Sequence, residues 1–166
     1  GGVNSASIQI AHLAGATVYV VASNAKKAQK ALELGADYAI DRSQVNWAKE
    51  IHRLTQRRGV DLVVDNVGAA TLQTSMSAAA RGGRIAIVGN TSGAISEIDI
   101  RMIFGKQISL IGSTMGTPKD FRDVARMLWS GKIKTVIEEI LPLSEGKRGF
   151  ERMERGELFG KVVLVP

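Results

Sequence analysis

Apolar residues along this chain form short continuous runs that alternate with segments of helical spacing. The runs are TVYVVAS, YAID, VDLVVDNVG, RIAIVGN and QISLIGSTM, and a further strand, KVVLV, closes the chain. Because Val, Ile and Leu follow one another in these runs, they predict strands covered on both faces, as in a parallel sheet. Apolar residues at helical spacing predict helices over 3–13, 28–32, 47–54, 72–79 and 121–128, and a polar helix is expected around 144–155. This alternation predicts a doubly wound α/β fold in one continuous domain, 1–166.

Composition excludes several classes of protein. Of 166 residues, 45% are hydrophobic and 23% are charged, and no apolar run approaches the length of a membrane span. The absence of cysteine excludes disulfides and thiolate metal sites, and it favours a reducing compartment and hence a cytoplasmic location. The net charge of +6 is scattered along the chain, with few aromatic residues to stack on bases. We therefore expect neither a nucleic-acid nor a membrane partner.

The first residues, GGVNS, form a glycine-rich turn that leads into the first predicted helix. Free N–H groups and the positive end of the helix dipole suit an anion such as a pyrophosphate. The later positions of the dinucleotide fingerprint G-x-G-x-x-G fall on Gly1, Gly2, Val3 and Asn4. Asn4 stands where the third glycine is usual, and the first glycine and its strand would precede the chain. The alternative is a turn that only caps the helix through Asn4 or Ser5.

Several stretches of the chain share the order and spacing of a known family. They are GGVNSASIQIAHLAGATVYVVA, KALELGADYAID, GVDLVVDNVG, GGRIAIVGNTSG, ISLIGSTMGT and FGKVVLV. Together they resemble the C-terminal, cofactor-binding Rossmann domain of the medium-chain dehydrogenase/reductase family, which includes the zinc-type alcohol dehydrogenases and quinone oxidoreductases. The resemblance implies a parent oxidoreductase that transfers a hydride between NADP(H), or NAD(H), and a small alcohol, carbonyl or quinone/enone substrate.

The resemblance also bears on what the chain lacks. In that family a separate N-terminal domain carries the catalytic zinc ligands, where zinc is used, and most of the substrate pocket. We expect that domain, together with the first strand of the sheet, to be absent from residues 1–166. The chain alone is therefore expected to be inactive, with no catalytic or metal-binding residues of its own.

The end of the second strand of the Rossmann sheet indicates which dinucleotide is bound. NAD-binding sites usually place an Asp or Glu there to accept hydrogen bonds from the adenosine ribose. Here the strand runs into SNAKK, and no acidic residue occurs before Glu33. Donors on Ser23, Asn24 and Lys27 suit a 2′-phosphate instead, and quinone reductases of the family have a lysine matching Lys27. The sequence favours NADP over NAD, and a solvated helix face is the alternative for Lys26 and Lys27.

Three later strands end in short segments that each contain a glycine, and the resemblance implies that these segments line the cofactor's ribose and nicotinamide. They are Asn66, Val67, Gly68, Val88, Gly89, Asn90, Ile111, Gly112 and Ser113. Glycine would let a flat nicotinamide approach the backbone, although the same glycines could simply terminate strands. Asp65 is interpreted as a turn former and not as a general base, since no histidine lies near it in sequence.

The remaining candidates are interpreted as structural. His12 and His52 are expected at the surface, and Trp47 and Trp129 in core or interface packing.

The strand 106–115 comes last among the parallel strands and is expected at a sheet edge, where an apolar strand is prone to aggregate. The family joins two cofactor domains through this edge, so we expect a homodimer or homotetramer built on Lys106–Met115.

Two functions of other classes stay open. A methyltransferase also binds adenosine over a glycine turn, but it too normally has an acid after the second strand, and none is present. A non-catalytic nucleotide-binding module or sensor of the same fold is the other alternative.

Overall fold

The computed structural model describes residues 1–166 as seven α-helices, seven β-strands and one short 3₁₀ helix at Leu143–Glu145. The helices are α1 Gly2–Leu13, α2 Ala25–Glu33, α3 Trp47–Leu54, α4 Leu72–Ala78, α5 Ile100–Lys106, α6 Pro118–Trp129 and α7 Gly146–Glu154. The strands are β1 Tyr19–Ala22, β2 Tyr38–Asp41, β3 Val60–Asp65, β4 Ala79–Ile87, β5 Ser109–Gly112, β6 Ile137–Pro142 and β7 Lys161–Val165.

The strands form three sheets, with the orders β1-β2, β3-β4-β5 and β6-β7. The pairs β3–β4, β4–β5 and β6–β7 are parallel, as the continuous apolar runs predict. The chain divides into two compact units, which we describe separately. Unit 1 comprises 1–39 and 117–166, and unit 2 comprises 40–116.

Unit 1 is built around a small apolar cluster of Ile8, Val18, Ala31 and Ala36, which packs α1 and α2 against the start of β1. Polar contacts of long sequence separation complete it. The Gln9 amide donates to the carbonyl of Lys134 at 3.0 Å and accepts from its N–H at 2.9 Å. Gln9 is buried, so both of its polar ends need these partners.

Unit 2 is built around Met76 of α4 and Ile85 of β4, which are fully buried, together with Ala79 and Ile108. β4 begins at Ala79, five residues before the predicted run RIAIVGN. The register shifts between Val60↔Ala79 and Leu62↔Arg84, so the residues around Gly82 form an irregularity that apolar patterning alone does not indicate.

Several expectations from the sequence are wrong. β3 is not covered on both faces, since Leu62 is 53% exposed. α5 and β6 were not predicted, because α5 is only seven residues long and β6 carries two glutamates in IEEILP. Trp129 is the last residue of α6 and is 84% exposed, so packing in the core is wrong for it, whereas packing in an interface stays a prediction.

The two histidines differ. His12 is exposed, as predicted. His52 of α3 is half-buried instead, with Nε2 3.0 Å from the carbonyl oxygen of Ser77 at the end of α4. The ring of His52 therefore joins α3 to α4. Its sequence neighbours do not indicate this contact, because Ser77 lies 25 residues further along the chain.

Candidate functional site

The glycine turn leads directly into α1, with Gly1 as the N-cap and no side chain capping the helix. The first main-chain hydrogen bond runs from the N–H of Ser5 to the carbonyl of Gly1, at 3.1 Å. The N–H groups of Gly2, Val3 and Asn4 precede it and are free to bind an anion. A capping role for Asn4 or Ser5 is wrong, because both residues lie inside the helix, where the Ser5 hydroxyl donates to the carbonyl of Gly2.

Lys161, the first residue of β7, lies beside this turn. A Cβ at Gly2 would stand 2.9 Å from Nζ of Lys161, so glycine at this position leaves room for the ammonium group. The start of α1 is therefore electropositive, through the helix dipole and the ammonium group of Lys161.

Lys161 is not among the predicted site residues, although it stands in the stretch FGKVVLV, where a cation follows a glycine at the start of a strand. Nothing in the local pattern shows that this strand starts next to Gly2, since the two positions are separated by almost the whole chain.

The residues proposed for the adenosine end lie at the start of α2. Asn24 is the N-cap, and its Oδ1 accepts the N–H of Lys27 at 2.9 Å, while its amide NH₂ remains available as a donor. Ser23 and Lys26 are exposed. The Lys27 ammonium donates to the carbonyl of Gly156, and a role of Lys27 at the 2′-phosphate stays a prediction.

Asp65 organises the end of β3 and is 4% exposed. Its Oδ1 accepts the N–H groups of Val67 at 2.9 Å and Gly68 at 3.1 Å, and its carboxylate accepts the hydroxyls of Thr71 and Ser75. Burial alone would raise the pKa of Asp65, but these hydrogen bonds outweigh burial and hold its pKa below the ordinary value. All of these partners are donors that stabilise the carboxylate. The predicted turn-forming role of Asp65 is confirmed.

Two of the strand-end glycines are required by the packing of one loop on another. A Cβ at Gly68, where φ is +84°, would stand 3.0 Å from Cα of Asn90, and a Cβ at Gly89 would stand 3.0 Å from the carbonyl oxygen of Asn66. The N–H of Ser92 donates to the carbonyl of Val67 at 2.9 Å across the same contact. The loops after β3 and β4 thus form one rigid main-chain surface.

The loop after β5 is different. A Cβ at Gly112 would meet nothing within 4 Å, so packing within this chain does not require glycine there. The N–H of Ser113 donates to the carbonyl of Ile87 at 3.0 Å, which keeps this strand end beside β4. Ile111 is 45% exposed. The open space at Gly112 is compatible with a flat ligand.

The structure therefore brings the candidates together in two groups. Gly1–Asn4 and Lys27 lie in unit 1, and the strand ends at 66–68, 88–90 and 111–113 lie in unit 2. No group of three or more His, Cys, Asp or Glu side chains is arranged to hold a metal ion. None of the helices combines the length and the apolar character needed to span a membrane.

Comparison with known proteins identifies the family. The family model described as zinc-binding dehydrogenase matches residues 2–130. The chain belongs to this family. It is 32% identical over 168 residues to an NAD-dependent alcohol dehydrogenase of Saccharolobus solfataricus, covering 100% of this chain and 48% of that protein. It is 28% identical over 172 residues to the quinone oxidoreductase of Homo sapiens, covering 99% of this chain and 52% of that protein.

Solved structures support the same assignment. The crystal structure of an NAD-dependent alcohol dehydrogenase superposes with a TM-score of 0.94 at 39% identity, covering 100% of this chain and 48% of that one. The predicted Rossmann-type α/β fold and the predicted resemblance to alcohol dehydrogenases and quinone oxidoreductases are confirmed. The chain spans about half the length of the curated relatives it matches.

Proposed function

We propose that this chain binds NADP(H), and that the full-length protein transfers a hydride between this dinucleotide and a small alcohol, carbonyl or quinone/enone substrate. The observation that carries the proposal is the start of α1, where free N–H groups of a glycine turn lie beside the ammonium group of Lys161. A dianionic pyrophosphate is the group that such an arrangement of N–H dipoles and an ammonium group fits best.

The roles in unit 1 follow from the donors. The N–H groups of Gly2, Val3 and Asn4 and the ammonium of Lys161 bind the pyrophosphate. Ser23, Asn24 and Lys27 bind the 2′-phosphate of the adenosine ribose. One such charge-assisted contact contributes about 1.5–3 kcal/mol, or roughly ten- to a hundredfold in affinity.

The roles in unit 2 follow from the rigid loops. The nicotinamide ring, when bound, supplies the hydride acceptor or donor. The main-chain surface formed by Gly68 and Gly89, together with the open position at Gly112, offers a flat support for this ring. Rigidity is useful here, because a small displacement of a reacting ring costs a large factor in rate.

We further propose that two copies of the chain pair through β5. β5 is the last strand in the order β3-β4-β5, so one of its edges is unpaired within this chain. A two-fold pairing of identical strands satisfies the N–H and C=O groups of that edge.

Binding and turnover together test the proposed function. Isothermal titration of the full-length protein should detect both dinucleotides, with NADPH bound more tightly than NADH, and turnover should appear with an alcohol, an aldehyde or a quinone. Absence of binding of either dinucleotide at millimolar concentration would refute the proposal. Binding without turnover on any of these substrates would favour a non-catalytic nucleotide-binding module or sensor.

A further inference from the structure

The C-terminal part of unit 1 holds two lysines of α2 at once. The ammonium of Lys27 donates to the carbonyl of Gly156. Lys30, one turn further along α2, pairs with Glu138 of β6 at 2.6 Å, and its Nζ lies 5.6 Å from the centre of the Phe159 ring. All of these partners lie more than 100 residues from α2 in sequence.

Gly156 offers its carbonyl at a fixed place. It follows the last turn of α7 with φ of +66°, a conformation that favours glycine. Its N–H donates to the carbonyl of Met153 at 3.0 Å, and the N–H of Glu157 donates to the carbonyl of Arg152 at 3.1 Å. These two hydrogen bonds end α7 in the way typical of a helix followed by a left-handed glycine. They place the negative end of the α7 dipole at the Lys27 ammonium.

The pair formed by Lys30 and Glu138 is partly buried, with side-chain exposures of 32% and 17%. It joins α2 to β6, while the contact of Lys30 with Phe159 joins α2 to the segment before β7. Both contacts hold the helix that carries Lys27 within reach of Gly156. An ammonium group has three donors, so the bond to Gly156 leaves two of them for a phosphate.

We infer that β6 and the segment Arg155–Gly160 position Lys27 for the 2′-phosphate, with Glu138 and Lys30 as positioning residues that do not themselves touch the ligand; this inference rests on the proposed function. A lysine side chain that is already ordered loses less conformational freedom when the phosphate binds. Loss of this ordering should weaken binding at the 2′-phosphate about three- to tenfold, the range expected for one side chain rich in rotamers.

The substitution Glu138→Gln distinguishes a positioning role of Glu138 from a purely electrostatic one, because the two roles predict opposite changes in affinity for the 2′-phosphate. If only charge mattered, removal of a carboxylate near a phosphate site would strengthen binding. If Glu138 positions Lys27 through Lys30, the same substitution weakens binding. Lys30→Gln should weaken binding in the same direction. Glu154→Gln is the matched control, because Glu154 is exposed on α7 and forms no ion pair in this structure.

The experiment uses the full-length protein and two probes, 2′,5′-ADP and 5′-AMP, which differ by the 2′-phosphate. Glu138→Gln and Lys30→Gln should weaken 2′,5′-ADP about three- to tenfold and leave 5′-AMP unchanged, and Glu154→Gln should change neither. In a Lys27→Ala background, Lys30→Gln should cause no further loss, because its effect acts through Lys27. Melting temperatures close to that of the wild type confirm that the variants are folded.

The possible failures are distinguishable. If the wild type binds 2′,5′-ADP better than 5′-AMP but Glu138→Gln strengthens that preference or leaves it unchanged, the positioning inference is wrong and the proposed function stands. A further loss from Lys30→Gln in the Lys27→Ala background would also overturn the inference, since it would show that Lys30 acts on the phosphate independently of Lys27. If the wild type binds neither probe nor NADP(H), the proposed function fails as well.

Discussion

The hydroxyl of Ser75 on α4 donates to Oδ2 of Asp65 at the end of β3, at 2.7 Å. Both residues are buried, so neither polar group could be hydrated if the other were removed. The same carboxylate orders the turn at Val67 and Gly68, which belongs to the surface proposed for the nicotinamide. One ionised side chain therefore links the stability of unit 2 to the shape of its candidate site.

Replacement of Asp65 by Ala should destabilise the protein by about 2–4 kcal/mol, because it leaves buried donors without acceptors. Dinucleotide affinity should fall as well, since the loop that follows β3 loses its hydrogen bonds. Asp61→Ala is the matched control on the same strand, because the Asp61 side chain is 68% exposed and pairs only with Arg58. Denaturant unfolding measures both variants, and equal losses would show that Asp65 has no special structural role.

The carboxylate of Asp65 should also affect how the free energy of unfolding depends on pH in acid. The pKa of Asp65 is lower in the folded protein than its ordinary value, through the hydrogen bonds that outweigh burial. Its contribution to stability is therefore fully present above the unfolded pKa of about 3.9, and it is lost as the pH falls through the folded pKa. The Asp65→Asn variant lacks this component. Its free energy of unfolding should consequently fall less steeply than that of the wild type below about pH 4, and parallel curves would contradict the assignment.

Gly59 and Gly82 form a matched pair for testing a close backbone approach. Both have positive φ, +84° and +73°, but a Cβ at Gly59 would stand 2.7 Å from the carbonyl oxygen of Ala78, whereas one at Gly82 would meet nothing within 4 Å. Gly82→Ala should cost only about 1–2 kcal/mol, for the left-handed backbone. Gly59→Ala should cost about 3 kcal/mol or more, because main-chain atoms must also shift. Equal unfolding free energies for the two variants would refute the steric argument.

Local patterning was enough to predict most of the elements of this fold. Every predicted strand overlaps an observed one, and YAID and KVVLV match β2 and β7 residue for residue, although β4 begins five residues before the predicted run RIAIVGN. Patterning failed where an element is short, as in α5, or where charges interrupt the apolar run, as in β6. The exposure of Leu62 and Trp129 also could not be predicted, because it depends on which elements cover them.

The candidate site could be predicted only where its residues stand in local motifs. The glycine turn and Lys27 stand in local motifs, so the sequence indicates them. Lys161 and Gly156 act on α1 and α2 only through contacts between distant parts of the chain, such as the one from Lys27 to Gly156 across 129 positions. A single sequence contains no local signal for such a contact.

Lys161 and Lys27 should differ in what their loss does to the choice of dinucleotide. Lys161 lies beside the glycine turn, where NADPH and NADH carry the same pyrophosphate, so Lys161→Met should weaken both about ten- to a hundredfold. Lys27→Ala should weaken NADPH more than NADH, because only NADPH has the 2′-phosphate. Isothermal titration of both variants of the full-length protein with both dinucleotides measures the two ratios. Equal losses of NADPH and NADH in Lys27→Ala would leave Lys27 without a role at the 2′-phosphate.

The free edge of β5 is the contact on which the proposed dimer depends. The N–H of Ser113 donates to Ile87 of β4, and amides alternate between the two edges of a strand, so the amide of Leu110 points to the free edge and that of Ser109 points to β4.

Leu110→Pro removes a donor from the free edge and should shift the full-length protein to monomers in light scattering, whereas Leu110→Ala keeps the amide and should remain a dimer or tetramer. Ser109→Pro should also give monomers, but with a lower melting temperature than Leu110→Pro, because its proline breaks the pairing of β5 with β4. A Leu110→Pro protein that still scatters as a dimer would exclude β5 as the contact.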